Sequence, residues 1–106
     1  MLRKKNKSSL PTFSEQVYRA TTQIPRGRVA TYAWIAKYIK NPHAVRAVGN
    51  ALNENPHAPA VPCHRVIRSD GTLGGFADGP RKKKKMLERE GIKIINGRVT
   101  EQYILR

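Results

Sequence analysis

The residues best suited to chemistry are the single cysteine of the chain and its neighbours, in the segment Val61-Pro62-Cys63-His64-Arg65-Val66. A thiol becomes a nucleophile as the thiolate, and a neighbouring cation or histidine favours that form. Pro62 stiffens the backbone before Cys63, as a preorganised site requires. Adjacent side chains of an extended segment point to opposite sides, so His64 would reach Cys63 across a turn or through a water. The segment predicts a reactive thiol, against the alternative of an inert buried side chain.

A carboxylate further along the chain is the expected partner of His64. The sequence predicts a helix from near Pro80 to Glu90, with Gly91 as its stop. Spacings of three and four residues place Glu90 on the inward side of this helix, together with Met86 and Leu87. A carboxylate at a helix C-terminus faces the unfavourable end of the dipole and needs a donor or cationic partner. We therefore expect Glu90 to contact His64.

The charge balance indicates a polyanionic partner. The 106 residues carry a formal net charge of +14, from 21 Lys and Arg against 7 Asp and Glu. Such an excess favours nucleic acid first and an anionic membrane second. Arg81 and Lys82 to Lys85 are predicted to form a solvated face that helps to hold DNA. Residues 1–11 are predicted to be a basic flexible arm that either contacts phosphates or only solubilises the chain.

The remaining composition bounds the domain and its compartment. The length suits one domain, predicted over residues 12–106. A single cysteine points to a reducing compartment, and the basic segment Met1 to Ser9 is not followed by an apolar run that would make a signal peptide or a membrane span. The expected localisation is cytoplasmic, and nucleoid-associated in a prokaryote. No cofactor is expected, because the spacings of His43, His57, Cys63 and His64 fit no common metal site.

Three helices are predicted before the cysteine. Thr12-Phe13-Ser14-Glu15 fits a capping box and predicts a first helix that is ended by Pro25 and Gly27. Thr31 is the predicted N-cap of a second helix, and Asn41-Pro42 predicts that a third helix runs from Pro42 to Asn53. The close spacing of the last two resembles a helix-turn-helix.

A hairpin completes the predicted elements. Asn96-Gly97 predicts a type I′ turn between two short strands near the end of the chain. The predicted fold class is mainly α with a short β hairpin (α+β), a winged-helix-like helix-turn-helix domain.

The third predicted helix has one face suited to a groove. Its apolar side collects Ala44, Val45, Val48, Ala51 and Leu52, and its opposite side collects Arg46, Gly49, Asn50 and Asn53. One long cation among small side chains lets the backbone approach a groove closely, whereas an ordinary solvated face usually carries more charge. The net charge and this face together favour contact with nucleic acid.

A glycine-rich loop follows the cysteine, from Gly74 to Pro80. It lacks the sequence of a phosphate-binding P-loop, so nucleotide hydrolysis is not expected. The loop is either a flexible wall that closes over a ligand or a plain connector.

Several of these segments resemble the C-terminal domain of the O6-alkylguanine-DNA alkyltransferases, over about Phe13 to Arg98. They are Arg46-Ala47-Val48-Gly49, Asn55-Pro56, Pro62-Cys63-His64-Arg65, the glycine-rich loop and Glu90-Gly91. The resemblance implies irreversible transfer of an alkyl group from O6 of guanine, and less readily from O4 of thymine, to the cysteine. The protein would be consumed in a single turnover.

The resemblance also implies roles for individual residues. Cys63 would accept the alkyl group, His64 would be its base through a water, Glu90 would orient His64, and Tyr32 would donate to the base as negative charge leaves it. Arg46 would replace the flipped nucleotide in the stack, since a base within a duplex cannot reach a protein thiol. Asn55 would belong to a conformational hinge, and the carbonyls of Cys63 and Val66 would read the guanine amino group.

Two surfaces follow from these roles. The residues expected to line the base pocket are Tyr32, Val66, Phe76, Ala77 and Asn55. The residues expected to contact DNA, docked through its minor groove, are Arg46, Ala44, Ala47, Gly49, Asn50, Thr31 and Arg65. The expected partner is double-stranded DNA that contains O6-alkylguanine, with no membrane partner and a monomeric protein.

The sequence departs from the family pattern in two places. Ala77 stands where many members have a serine that donates a hydrogen bond to O6, and the loss of such a donor costs about 2–4 kcal/mol of transition-state stabilisation unless another donor compensates. The family's usual N-terminal domain has no counterpart in this sequence, and the zinc sites of some relatives lie in that domain.

Two other functions compete with alkyl transfer. One is a lesion-binding protein like the non-catalytic alkyltransferase-like proteins, which have another residue in place of the cysteine and attract other repair factors. The other is a general DNA-binding protein with an inert thiol, which leaves the combination of Cys63, His64 and an inward Glu90 without a reason.

Overall fold

The computed structural model describes residues 10–76 and 78–106, so most of the predicted arm and Ala77 lie outside the described residues. Its helices are α1 (Phe13–Thr21), α2 (Tyr32–Tyr38), α3 (Val45–Asn53) and α4 (Pro80–Arg89). Its strands are β1 (Val29–Thr31), β2 (Val66–Ile67), β3 (Ile94–Ile95), β4 (Arg98–Val99) and β5 (Ile104–Leu105), with short 3₁₀ helices at Cys63–Arg65 and Glu101–Tyr103. The predicted α+β class with a helix-turn-helix is confirmed.

The first two helices begin where the sequence predicts. The Thr12 side chain accepts a hydrogen bond from the Glu15 N–H, and the Thr12 N–H donates to the Glu15 carboxylate, which completes the capping box. Thr31 caps α2 by accepting from the Trp34 N–H. The predicted end of α1 was wrong, because the helix stops at Thr21 rather than at Pro25. Tighter i to i−3 hydrogen bonds after Thr21 carry Ile24 into the core.

The predicted start of α3 was also wrong. The helix begins at Val45, and its N-cap residue is Ala44, whose side chain makes no capping bond. Asn41 instead serves the end of α2, because its N–H donates to the Ala36 carbonyl while Lys40 takes a left-handed conformation at φ 63°. The connection between α2 and α3 is therefore longer than a proline-initiated helix would make it.

A three-stranded parallel sheet, in the order β2-β1-β5, is the part of the fold that the sequence did not reveal. Its strands have two or three residues each and divide the interior into two apolar clusters. Ala30 of β1 and Val66 of β2 pack into one cluster, and Val29 of β1 and Ile67 of β2 pack into the other. Both faces are buried, as is usual for parallel strands.

The two clusters organise the rest of the chain. Helices α1, α2 and α3 pack on the side of Ala30 and Val66, while α4 and the C-terminal hairpin pack on the side of Val29 and Ile67. The hairpin of β3 and β4 turns at Asn96 (φ 53°) and Gly97 (φ 77°), which confirms the predicted turn. In the part of the chain described, every helix is too short or too polar to cross a bilayer.

Candidate active site

Cys63 lies at the junction of the two halves of the fold, where the loop after α3 enters β2. It opens a single 3₁₀ turn, in which the Arg65 N–H donates to the Pro62 carbonyl at 2.9 Å. The side chain is half-buried and faces a cavity of about 550 Å³. The other residues that line this cavity come from α2, α3, the turn after β2 and the loops around Ala58 and Phe76: Tyr32, Val45, Gly49, Asn50, Leu52, Asn53, Asn55, Ala58, Arg68, Gly75, Phe76 and Asp78. The thiol is thus within reach of a ligand in the cavity.

His64 points away from the cavity and contacts Glu90, as the sequence predicts. The residue is 3% exposed, and its imidazole Nε2 lies 2.9 Å from Glu90 Oε2. When Nε2 carries the proton and donates to this carboxylate, Nδ1 is left as an acceptor. Burial lowers the pKa of His64, although the hydrogen bond and the charge of Glu90 oppose the shift. A neutral imidazole with a free acceptor nitrogen is suited to take a proton.

The route from His64 to the thiol is indirect. No hydrogen bond joins Cys63 and His64 among the described residues, although the two are adjacent in the chain. This geometry agrees with the predicted proton transfer through a water molecule, and that relay stays a prediction.

Arg65 completes the cluster from the other side of the carboxylate. Its Nε lies 2.9 Å from Glu90 Oε1, one terminal nitrogen lies 2.9 Å from Oε2, and the other donates to the Ile24 carbonyl at 2.9 Å. The side chain is 16% exposed. Because the guanidinium is occupied within the domain, the structure argues against the DNA contact expected for Arg65. The guanidinium instead fixes the carboxylate that fixes His64.

Glu90 is held as an anion by these partners. Burial alone would raise the pKa of its carboxyl group, but hydrogen bonds from Arg65 and His64 outweigh burial, and the pKa is lowered. Glu90 is also the C-cap residue of α4, where the helix dipole disfavours a negative charge. Two donors on one carboxylate compensate for that position.

Lys83 corrects the prediction that the whole cationic run of α4 is solvated. Its side chain is fully buried, whereas Arg81, Lys82, Lys84 and Lys85 are exposed. The Lys83 ammonium donates to the carbonyls of Val66, at 2.8 Å, and Gly75, at 3.1 Å. Burial lowers the pKa of Lys83 to about 8, and the nearby Cys63 opposes this shift. The spacing of Lys83, Leu87 and Glu90 by four and three residues was the signal that could have placed Lys83 inward.

The two bonds of Lys83 connect the walls of the site. Val66 belongs to the strand after the cysteine, and Gly75 belongs to the glycine-rich loop, so one ammonium ties this loop to the sheet. Val66 itself is fully buried and is not among the cavity residues, so its expected place in the base pocket stays a prediction that concerns its carbonyl. Its carbonyl is already an acceptor for Lys83.

Lys83 predicts an unusual dependence of stability on pH. Below about pH 8, Lys83 is charged in both the folded and the unfolded state, so the folded protein bears the full cost of burying the charge. Between about pH 8 and the ordinary lysine pKa of 10.5, the unfolded chain binds more protons than the folded protein, so the free energy of unfolding rises with pH. Measured by urea unfolding, the stability of the wild type relative to Lys83→Met should therefore increase by about 3 kcal/mol over this interval. Lys84→Met, which alters an exposed neighbour, should show no such trend. Parallel curves for the wild type and Lys83→Met would mean that the ammonium is solvated.

Three of the residues expected around the base, Tyr32, Asn55 and Phe76, line the cavity. Tyr32 lies at the start of α2 against α3, where a methyl group added to Gly49 would lie 3.9 Å from the tyrosine ring. Burial raises the pKa of Tyr32, which keeps its hydroxyl protonated and able to donate. Asn55 stabilises the loop that follows α3, because its side chain donates to the Val61 carbonyl and accepts from the His57 N–H.

The outer face of α3 carries most of the residues expected at DNA. Arg46, Ala47 and Asn50 are exposed, and Ala44 and Gly49 are half-buried. Thr31 is different: it is buried, and its hydroxyl caps α2, so the structure argues against a DNA contact by its side chain. Within residues 10–76 and 78–106, no three His, Cys, Asp or Glu side chains cluster as metal ligands would.

A cysteine in a cavity, backed by a histidine on a buried carboxylate, can be compared with known families. Residues 12–92 match the model of the DNA-binding domain of 6-O-methylguanine DNA methyltransferase. The chain belongs to this family. The methylated-DNA--protein-cysteine methyltransferase of Methanosarcina acetivorans is 51% identical over 79 residues, which cover 74% of this chain and 51% of that protein. The predicted resemblance is therefore confirmed.

Two solved structures extend the comparison. Mycobacterium tuberculosis OGT in complex with DNA has a TM-score of 0.73 at 43% identity, covering 76% of this chain and 50% of that one. The structure of S. pombe Atl1 in complex with damaged DNA containing O6-carboxymethylguanine has a TM-score of 0.78 at 35% identity. The match covers 89% of this chain and 94% of that one. The chain thus spans about half the length of the curated relatives it matches, and nearly all of Atl1.

Proposed function

We propose that this protein repairs DNA by transferring an alkyl group from O6 of guanine, and less readily from O4 of thymine, to Cys63. The observation that carries the proposal is the combination of a half-buried thiol open to a cavity with a neutral histidine held by a buried carboxylate. The named relatives of this family are methylated-DNA--protein-cysteine methyltransferases, which supports the same reaction here. The product is a thioether, so each molecule acts once.

The reaction needs one proton transfer and one substitution. His64, oriented by Glu90, takes the proton of Cys63 through a water molecule. The thiolate sulfur forms a bond to the alkyl carbon, the bond between this carbon and O6 breaks, and its electron pair remains on guanine. Tyr32 donates a hydrogen bond to the base as this charge develops, and the proton taken from Cys63 balances the departing guanine anion. A thiol and an alkylated guanine thus become a thioether and guanine.

Access to the alkyl group requires that the nucleotide leave the duplex. The exposed face of α3 offers small residues for a close approach to the minor groove, and Arg46 projects from that face to fill the gap in the stack. The net charge of +14 supplies attraction to phosphates. The solved complexes of M. tuberculosis OGT and S. pombe Atl1 with DNA support DNA as the partner.

A second function is favoured by one observation. The chain matches S. pombe Atl1 over 94% of that chain, but the curated methyltransferases over only about half of their length. An Atl1-like protein would bind alkylated DNA and recruit other repair factors without transferring the alkyl group. Cys63 favours transfer over this alternative, because a lesion-binding protein has no use for a thiol.

The test is the intact mass of the protein after incubation with duplex DNA that contains O6-methylguanine. We expect a stoichiometric increase of one methylene group, located on Cys63 by peptide mapping, and no increase with unmodified DNA of the same sequence. Tight and lesion-selective binding without any increase would reject transfer and support the Atl1-like function.

A further inference from the structure

Arg68 is a cavity residue that lies outside the motifs of the family resemblance. It directly follows β2, and its backbone is fixed by a turn: its N–H donates to the Thr72 carbonyl and its carbonyl accepts from the Gly71 N–H, both at 3.0 Å. Asp70 closes the same turn by accepting from the Thr72 N–H and hydroxyl. The side chain is exposed overall but lines the cavity that Cys63 faces. A rigid turn therefore presents a long cation to the site.

Gly74 lies next to both Arg68 and Tyr32. A Cβ atom placed on Gly74, which has φ +80°, would lie 3.0 Å from the Tyr32 hydroxyl oxygen and 3.5 Å from Arg68 Cγ. A side chain at this position would separate the two residues, and the backbone conformation itself favours glycine. The stem of Arg68 and the Tyr32 hydroxyl thus approach the same point beside Gly74.

Arg68 acts on a carboxylate only from a distance: hydrogen bonds from Thr72 are the main cause of the lowered pKa of Asp70, and the charges of Arg98 and Arg68 add to it. No acidic group in the described part of the chain lies within ion-pair distance of its guanidinium. Asp78 is the one acidic residue among the described residues that line the cavity, and its Oδ2 instead lies 3.4 Å from Lys82 Nζ. Burial raises the pKa of Tyr32, and the charge of Arg68 is the main influence that opposes this shift. Arg68 therefore favours the state in which negative charge lies at or near the tyrosine oxygen.

We propose that Arg68 stabilises the guanine anion as it departs. Its positive charge would strengthen the hydrogen bond that the Tyr32 hydroxyl donates to the base. The proposal rests on the alkyl transfer proposed above and names a residue that this reaction would need here. In the sequence, Ala77 stands where the family resemblance leads one to expect a serine that donates to O6. A neighbouring cation that strengthens an existing donor compensates for a missing one, because both act on the same developing charge.

The step that Arg68 accelerates is the breaking of the bond between the alkyl carbon and O6. The bonding electron pair moves onto the purine, and the hydrogen bond from Tyr32 strengthens as that charge grows. Arg68 itself exchanges no proton or electron. Its contribution is larger in the transition state than in the bound ground state, which is the condition for an effect on rate rather than on affinity.

The experiment separates rate from affinity. Single-turnover transfer from duplex DNA with O6-methylguanine is measured at saturating DNA for the wild type, Arg68→Gln and Arg68→Lys, and the dissociation constant is measured in parallel. Arg68→Gln should slow transfer by about 10- to 100-fold and change affinity by less than about threefold, and Arg68→Lys should restore part of the rate. Arg98→Gln is the matched control, because the charge of Arg98, like that of Arg68, favours the ionised form of Asp70, but Arg98 does not line the cavity.

A second measurement tests the pairing with Tyr32. In a Tyr32→Phe background, the effect of Arg68→Gln should shrink to less than about threefold, since the two residues act on one charge. An undiminished effect there would overturn the pairing. An unchanged saturating rate, with weaker binding and a salt slope reduced by about one, would overturn the proposal and make Arg68 a phosphate contact. If the wild type transfers nothing, the proposed function fails, and the role of Arg68 fails with it.

Discussion

Cys63→Ala is expected to abolish alkyl transfer while leaving selective binding to alkylated DNA nearly intact. The substitution removes the nucleophile, and no second cysteine is present in the sequence to replace it. The thiol is half-buried at the edge of the cavity, so its loss leaves the DNA-facing side of α3 and the His64–Glu90 contact in place. The dissociation constant should change by less than about threefold, because the substitution removes one small side-chain atom from the cavity and leaves the DNA-facing side of α3 unchanged.

Two measurements on the same protein check this result. Intact mass after incubation with O6-methylguanine DNA should show no added methylene group, and fluorescence anisotropy should show the preference for alkylated over unmodified duplex that the wild type has. Loss of binding together with transfer would mean that the thiol supports the structure of the pocket. Residual stoichiometric transfer would mean that another side chain accepts the alkyl group.

The sequence was sufficient for the centre of the site because its signals there are local. The contact between His64 and Glu90 followed from the side of α4 that carries Glu90 and from the unfavourable helix end at which it lies. The capping box at Thr12 and the turn at Asn96-Gly97 are also short-range patterns. Each depends on residues that are close in sequence, so each could be predicted without knowledge of the tertiary fold.

The features that the sequence did not reveal depend on distant contacts. Lys83 belongs to a run of five cations, and only the packing of α4 against β2 and the glycine-rich loop distinguishes it from its neighbours. Arg65 directly follows Cys63 and His64, and its hydrogen bonds to Ile24 and Glu90 need three separate segments to converge. The sheet of β1, β2 and β5 has strands of two or three residues, too short for a periodic signal.

Glu90→Ala should have the largest effect on stability of any single change at the site. Its carboxylate is 8% exposed and accepts from His64 and from two nitrogens of Arg65. Removing it leaves Arg65, whose side chain is 16% exposed when Glu90 is present, with the Ile24 carbonyl as its remaining described partner. Breaking a buried ion pair from one side typically costs about 3–5 kcal/mol. Arg26, at 3.8 Å and 67% exposed, adds little to this sum.

Glu90→Gln separates the role in folding from the role in transfer. The amide keeps the shape and one acceptor oxygen, so its cost in unfolding free energy should be well below that of Glu90→Ala. His64 nevertheless loses the negative charge that opposes the lowering of its pKa, and because an amide can present either its oxygen or its NH₂ group to Nε2, the tautomer of His64 is no longer fixed. Transfer should therefore slow in Glu90→Gln under conditions in which the protein is fully folded, and the acidic limb of its pH–rate profile should move to lower pH.

The matched control is Glu88→Gln, which removes the same charge from an exposed position of α4 two residues away. Its unfolding free energy and transfer rate should stay close to those of the wild type, within about 0.5 kcal/mol in stability. Urea unfolding and single-turnover rates on the three variants give the comparison. If Glu90→Gln were as stable and as fast as Glu88→Gln, the carboxylate would neither hold Arg65 nor orient His64. The thiol would then need another source of activation within the cavity.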